Sequence, residues 1–195
     1  VAVSPFCVFL VPDVEILVLL EHREWQQTLF RARPRRGLTW SALDLKAAAF
    51  DPAALPRAGV VFNQASPSAY VRGHDRAVPA ALALLRAYAA AGVPVLNGER
   101  AFSLELSKAA QLALLDRLRV AAPRTLAFND VDALLRRLDA LERPFPFPAL
   151  LKPDQGGSGA RMHAVDSPED VRRVVDADPE LWSPDPVLLL QERLP

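Results

Sequence analysis

Cysteine is nearly missing from this chain. Cys7 stands alone, which excludes an intrachain disulfide and any zinc site built from cysteines of this chain. It lies in the apolar run Pro5-Phe6-Cys7-Val8-Phe9-Leu10 and reads as a small buried hydrophobe rather than a nucleophile. Such cysteine usage fits a reducing, cytoplasmic setting. Excess charge of either sign is missing too. The formal net charge is +0 at pH 7, so no whole-chain field draws the protein to nucleic acid or to an anionic membrane surface. Arg31, Arg33, Arg35 and Arg36 do cluster, but a solvated helix end and turn is the simpler reading. Pro5, Pro12, Asp13 and Glu15 interrupt the apolar first twenty residues, and no basic residue precedes them. Neither a signal peptide nor a membrane helix is expected there. The first residue is Val1 rather than Met, which suggests a trimmed or incomplete N-terminus. Lysine is scarce: Lys46, Lys108 and Lys152 stand against 20 arginines. Where arginine supplies the surface charge, a retained lysine points to a need for lysine.

What is present is apolar. Hydrophobic residues make up 51% of 195 positions, enough for one large domain or two small ones. Val14 to Leu20 reads as a buried strand, and Glu21 to Arg33 as an amphipathic helix stopped by Pro34 and Gly37. Leu38 to Leu45 and Gly59 to Asn63 read as strands, and Asn63 to Gly73 as a polar loop. Val78 to Ala90 reads as a helix with an apolar stripe, and Val93 to Leu96 as a fourth strand. This alternation predicts an open parallel sheet with right-handed crossovers over residues 1–97. Beyond it, Ser103 is expected to cap one long helix, Leu104 to Leu118. A strand follows at Arg124 to Phe128, then a helix from Asn129 or Asp130 through Leu141 and a stiff connector at Pro144, Pro146 and Pro148. Strands are expected at Ala149 to Lys152, Arg161 to Val165 and Val187 to Gln191. Ser167-Pro168-Glu169-Asp170 is a well-formed helix start.

Two lysines carry the chemical signal. Lys152 ends an apolar strand and is followed by Pro153-Asp154-Gln155-Gly156-Gly157-Ser158-Gly159. Glycines allow positive φ and let backbone N–H groups approach a ligand, and concave runs of N–H groups bind phosphate oxygens. The lysine would add a point charge for the same phosphates. Strand–loop–strand is neither a P-loop nor a dinucleotide fingerprint, since both need a following helix. Taken alone, the loop reads slightly better as a plain hairpin turn. Lys108 sits on the apolar stripe of its helix with Leu104, Leu112 and Leu115. It must snorkel to water or meet an anion, and a helix apolar on nearly all sides favours the anion. Lys46 reads as a surface residue. His22, His74 and His163 lack ligand spacing, so a metal site built on them is not expected. No nucleophile–base pair is evident and the acids are scattered, so no residue is assigned to catalysis.

In order, these pieces resemble the ATP-grasp superfamily, in its branch of RimK-like and glutathione-synthetase-like carboxylate–amine ligases. The match runs from about Phe62 to Pro195. It takes in Phe62-Asn63-Gln64-Ala65-Ser66-Pro67, Val95-Leu96-Asn97-Gly98, Ser107-Lys108, Ala122-Pro123-Arg124-Thr125-Leu126, Pro148 to Pro153, the Gly156 to Gly159 loop and Leu190-Gln191-Glu192. The resemblance implies an α/β fold: a pre-ATP-grasp open parallel sheet domain over 1–97, then the first, α+β lobe of an ATP-grasp domain over 98–195. It implies ATP and Mg2+ as cofactors and a carboxylate and an amine as substrates, either of them a small molecule or a peptide. Lys108 and Lys152 would contact the adenine edge and the α- and β-phosphates. Gly156, Gly157, Ser158 and Gly159 would fold over the phosphates, and Gln191, Glu192 and Leu194 would form the adenine-reading hinge. The magnesium ligands and a second lobe would lie beyond Pro195, so the fragment alone is expected to be inactive. A homo-oligomer stays open. Two other readings remain: a non-catalytic nucleotide- or partner-binding module, and an unrelated α/β domain whose glycine loop is only a turn.

Overall fold

A computed structural model describes residues 14–32, 37–157 and 159–194. Cys7, the arginines at 33, 35 and 36, and Ser158 therefore lie outside the described residues. The chain forms two compact units, 1–103 and 104–195.

In the first unit, β1 (Val14–Leu20), β2 (Trp40–Asp44), β3 (Ala58–Gln64) and β4 (Val95–Leu96) make a parallel sheet in the order β2-β1-β3-β4. Leu17, Val18, Leu19 and Leu20 are all buried, as a central strand covered on both faces requires. Gly59 permits close approach of β3 to β1, since a Cβ there would lie 3.0 Å from the Glu15 carbonyl oxygen. Helix α2 (Ala77–Ala90) buries Val78, Ala81, Leu84, Leu85 and Tyr88. The Tyr88 hydroxyl donates to the Pro56 carbonyl at 3.0 Å, and burial pushes its pKa up to about 12. The helix expected over 21–33 is shorter: a 3₁₀ turn at Glu24–Gln26 leads into α1 (Gln27–Ala32). Lys46 is exposed, as expected, and pairs with Asp44 at 3.6 Å.

In the second unit the sheet is antiparallel. Strands β5 (Thr125–Phe128), β6 (Ala149–Pro153), β7 (His163–Val165) and β8 (Leu188–Glu192) run in the order β5-β8-β6-β7. Two amphipathic helices, α5 (Val131–Asp139) and α6 (Pro168–Ala177), supply Leu134, Val171 and Val175 to the core. That core is completed by Phe128, Ala149, Leu151, Val165, Leu188 and Leu190 from the sheet. Alternation along β6 and β8 therefore turns Leu150, Lys152, Leu189 and Gln191 to the opposite face. Both helices start on side-chain caps: Asp130 accepts from Ala133 N–H at 2.7 Å, and Ser167 from Asp170 N–H at 3.2 Å.

The single helix expected over 104–118 is instead two. Helix α3 (Glu99–Leu106) already contains Ser103, and α4 (Lys108–Arg117) begins after an extended Ser107. Ser107, not Ser103, is the cap, and its Oγ accepts from Ala110 N–H at 3.0 Å. The break makes Lys108 the first residue of a helix.

Candidate functional site

The non-core face of the second sheet carries a polar thread across three strands. The Lys152 ammonium donates to Gln191 Oε1 at 2.7 Å, and Gln191 Nε2 donates to Thr125 Oγ1 at 2.9 Å. The Thr125 hydroxyl donates in turn to the Pro123 carbonyl at 2.9 Å. Lys152 is half-buried, and loss of solvent lowers its pKa. Beside this thread, Ala109 and Leu112 of α4, Thr125 and Ala127 of β5 and Leu189 of β8 line a cleft of about 720 Å³.

Strand β6 runs directly into the glycine loop. Gly156 has φ +148° and Gly159 φ +68°, conformations that favour glycine. Asp154 opens the loop and is buried, 5% exposed. Its N–H donates to the Val187 carbonyl at 2.9 Å, and its Oδ1 accepts from Ala109 N–H, at the start of α4, at 2.7 Å. The Lys108 ammonium donates to three carbonyls of the same segment: Pro153 at 3.0 Å, Asp154 at 2.7 Å and Gly156 at 3.4 Å. Burial lowers the Lys108 pKa, as does the nearby Lys152 charge, against the opposing pull of Asp154 and Asp185. Asp185 is pushed up by its own burial and by Asp154.

The structure thus brings Lys152 and Gln191 together on one face, and Lys108 together with Gly156. Ser158 lies outside the described residues. Glu192 lines a separate recess of about 340 Å³ with Arg124, Arg143, Pro144 and Pro146, while its backbone N–H donates to the Arg124 carbonyl at 2.9 Å. Leu194 is exposed. Asp154 escaped the sequence reading, where the acids looked scattered. Its place as the first residue after Lys152-Pro153 was the available signal.

A second polar cluster occupies the C-terminal edge of the first sheet. Glu21, directly after β1, is 1% exposed; Arg72 donates to its Oε1, and His74 Nδ1 lies 2.8 Å from its Oε2. Arg72 also donates to Ser68 Oγ at 3.3 Å and lies over the Trp25 ring at 4.5 Å. Arg72 and His74 are both held on a buried carboxylate, which no local pattern reveals because the partners are about fifty residues apart. Asn63 and Asn97 exchange side-chain donors with each other's carbonyls, both at 3.2 Å. Strand order reverses between β1 and β3, the place where open α/β sheets bind ligands.

No protein-family model and no curated protein matches this chain. Solved structures do. A RimK-domain ATP-grasp protein from Sphaerobacter thermophilus superposes with a TM-score of 0.67 at 18% identity, over 93% of this chain and 64% of that one. The fold is that of the ATP-grasp superfamily. The ATP-grasp ligase PsnB, solved with a minimal precursor, has a TM-score of 0.58 at 22% identity, over 94% of this chain and 65% of its own. VanG D-Ala:D-Ser ligase from Enterococcus faecalis gives 0.63 at 12% identity, over 94% and 63%. This chain therefore spans a little under two thirds of the length of these ATP-grasp structures.

Proposed function

We propose that the chain is the front part of an ATP-dependent carboxylate–amine ligase. One observation carries the reading. Lys152, an ammonium whose pKa is lowered by burial, sits with Gln191 and Thr125 on the non-core sheet face, at the root of a loop in which Gly156 and Gly159 adopt positive φ. A half-buried cation beside backbone N–H groups suits phosphate oxygens. The neighbouring cleft, walled by Leu112, Ala127 and Leu189, suits a flat apolar ring. These residues therefore fit a nucleotide. PsnB has been solved with a precursor peptide and AMPPNP, and with magnesium and ADP, which supports the same assignment.

In this reading Lys108, Lys152, Gly156, Gly157, Ser158 and Gly159 receive the nucleotide's phosphates and adenine edge, and the backbone of the hinge at Gln191, Glu192 and Leu194 borders the adenine. Gln191 fixes the Lys152 head, so that the charge is placed before ligand arrives. ATP, when bound, would supply the phosphoryl group that activates a carboxylate for attack by an amine. Among the described residues no group of three or more His, Cys, Asp and Glu side chains is placed to hold a metal ion. Residues 98–195 are assigned to the nucleotide and residues 1–97 to a carboxylate or amine substrate, at the Glu21 cluster. Cysteine usage supports a cytoplasmic protein, and no described helix is long and apolar enough to cross a membrane.

The test is calorimetric titration of the full-length protein, extended to its natural C-terminus, with ATP and magnesium beside Lys152→Ala. Binding that weakens by roughly 12- to 150-fold in the variant supports the reading, the equivalent of a charged hydrogen bond worth about 1.5–3 kcal/mol. Absence of binding by the full-length wild-type protein refutes it.

A further inference from the structure

Glu21 is a buried carboxylate with a partner on each oxygen. Arg72 donates to Oε1, His74 Nδ1 stands 2.8 Å from Oε2, and the residue is 1% exposed. A carboxylate paired with a guanidinium only accepts hydrogen bonds, so the proton on the second contact belongs to His74 Nδ1. That bond fixes the tautomer, and in the neutral ring Nε2 carries the lone pair. Among the described residues His74 Nε2 has no hydrogen-bond partner, and a quarter of the His74 side chain, 25%, is exposed. The ring is thus held from behind and open in front.

The surroundings say what the open nitrogen would meet. Glu21 follows β1 at the point where strand order reverses between β1 and β3, the place where open α/β sheets take ligands. The Arg72 cation is not available to a ligand carboxylate. One terminal nitrogen donates to Glu21, the other to Ser68 Oγ at 3.3 Å, and the guanidinium lies over the Trp25 ring at 4.5 Å. The charges of Glu21 and Arg72 cancel, and a neutral ring adds none. No net positive charge therefore draws an anion to the cluster, whereas a lone pair calls for a donor. An ammonium group has three donors and no acceptor. We propose that His74 Nε2, held by Glu21, is the recognition point for the ammonium group of the amine substrate. This deepens the ligase reading above and rests on it: the first unit takes the amine rather than the carboxylate.

The test uses the full-length protein with 15N-labelled histidine and no nucleotide, the His74 ring signals being assigned by their loss in His74→Ala. Nδ1 should be the protonated nitrogen and Nε2 the bare one. Methylammonium and acetate are the probes, because each carries the functional group with almost nothing else. Methylammonium should shift the His74 Nε2 resonance saturably at neutral pH, and acetate should leave it in place. A response to acetate alone, an equal response to both, or no response to either would overturn the proposal, as would a proton found on Nε2 instead of Nδ1. If the same protein binds no ATP, the ligase reading fails by that separate measurement, while the two probes still decide whether the cluster takes an ammonium group.

Discussion

Replacing Lys152 by methionine should separate stability from binding. The change keeps an unbranched stem of similar length and removes the charge. Folding loses the 2.7 Å bond to Gln191 Oε1, a charged hydrogen bond of about 1.5–3 kcal/mol. It also loses the cost of holding a half-buried ammonium, which the lowered Lys152 pKa reports. The two oppose each other, so the unfolding free energy should stay within about 1 kcal/mol of wild type. Nucleotide binding has no such offset, because the phosphate loses its cation outright, and it should weaken by about 12- to 150-fold. A pH signature follows from linkage. The folded pKa lies below the ordinary 10.5, so between the two values the unfolded chain holds more protons. Lys152 therefore makes wild-type stability rise with pH across that window, and the methionine variant should lack this contribution. Urea denaturation at neutral and alkaline pH, paired with ADP calorimetry, measures both quantities. A variant that loses more than about 2 kcal/mol of stability yet binds ADP normally would make Lys152 structural and refute the argument.

Three further outcomes are expected. ADP binding in alkaline buffer should take up protons, because a phosphate beside Lys152 raises its lowered pKa; affinity should fall as pH climbs through that pKa, read by calorimetry in buffers of different ionisation enthalpy. Ser107→Ala should cost about 1 kcal/mol in urea unfolding through loss of the α4 cap, whereas Ser103→Ala, inside α3, should cost clearly less. Leu151→Ala removes a fully buried side chain from the second core and should destabilise by about 2–5 kcal/mol, enough to lower the thermal midpoint by many degrees.

The strands were legible because burial on both faces, or on one, imprints itself on apolar spacing. Val14–Leu20 and Leu188–Leu190 show this, as does the Ser167-Pro168 helix start, where each residue answers a local need. The break at Ser107 was not legible, because apolar residues continue on both sides of it and only the extended backbone at Ser107 separates α3 from α4. Lys108 was readable as a lysine with nowhere to go, but its carbonyl partners lie 45 to 48 positions away. The Glu21 cluster stayed hidden for the same reason, since sequence spacing records periodicity along an element and says nothing of which ends meet in space.

Strand β8 is the last element in sequence but lies between β5 and β6 in the sheet. Until Leu188–Glu192 is available, β5 has no strand neighbour and β6 with β7 is a bare hairpin, which is marginal in water. During translation the polymerisation of the sixty or so residues between β5 and β8 takes on the order of seconds. In the later part of that interval the nascent chain displays Leu150 and Leu151 without the strand that pairs with them, and the half-made sheet stands open at an edge until β8 arrives.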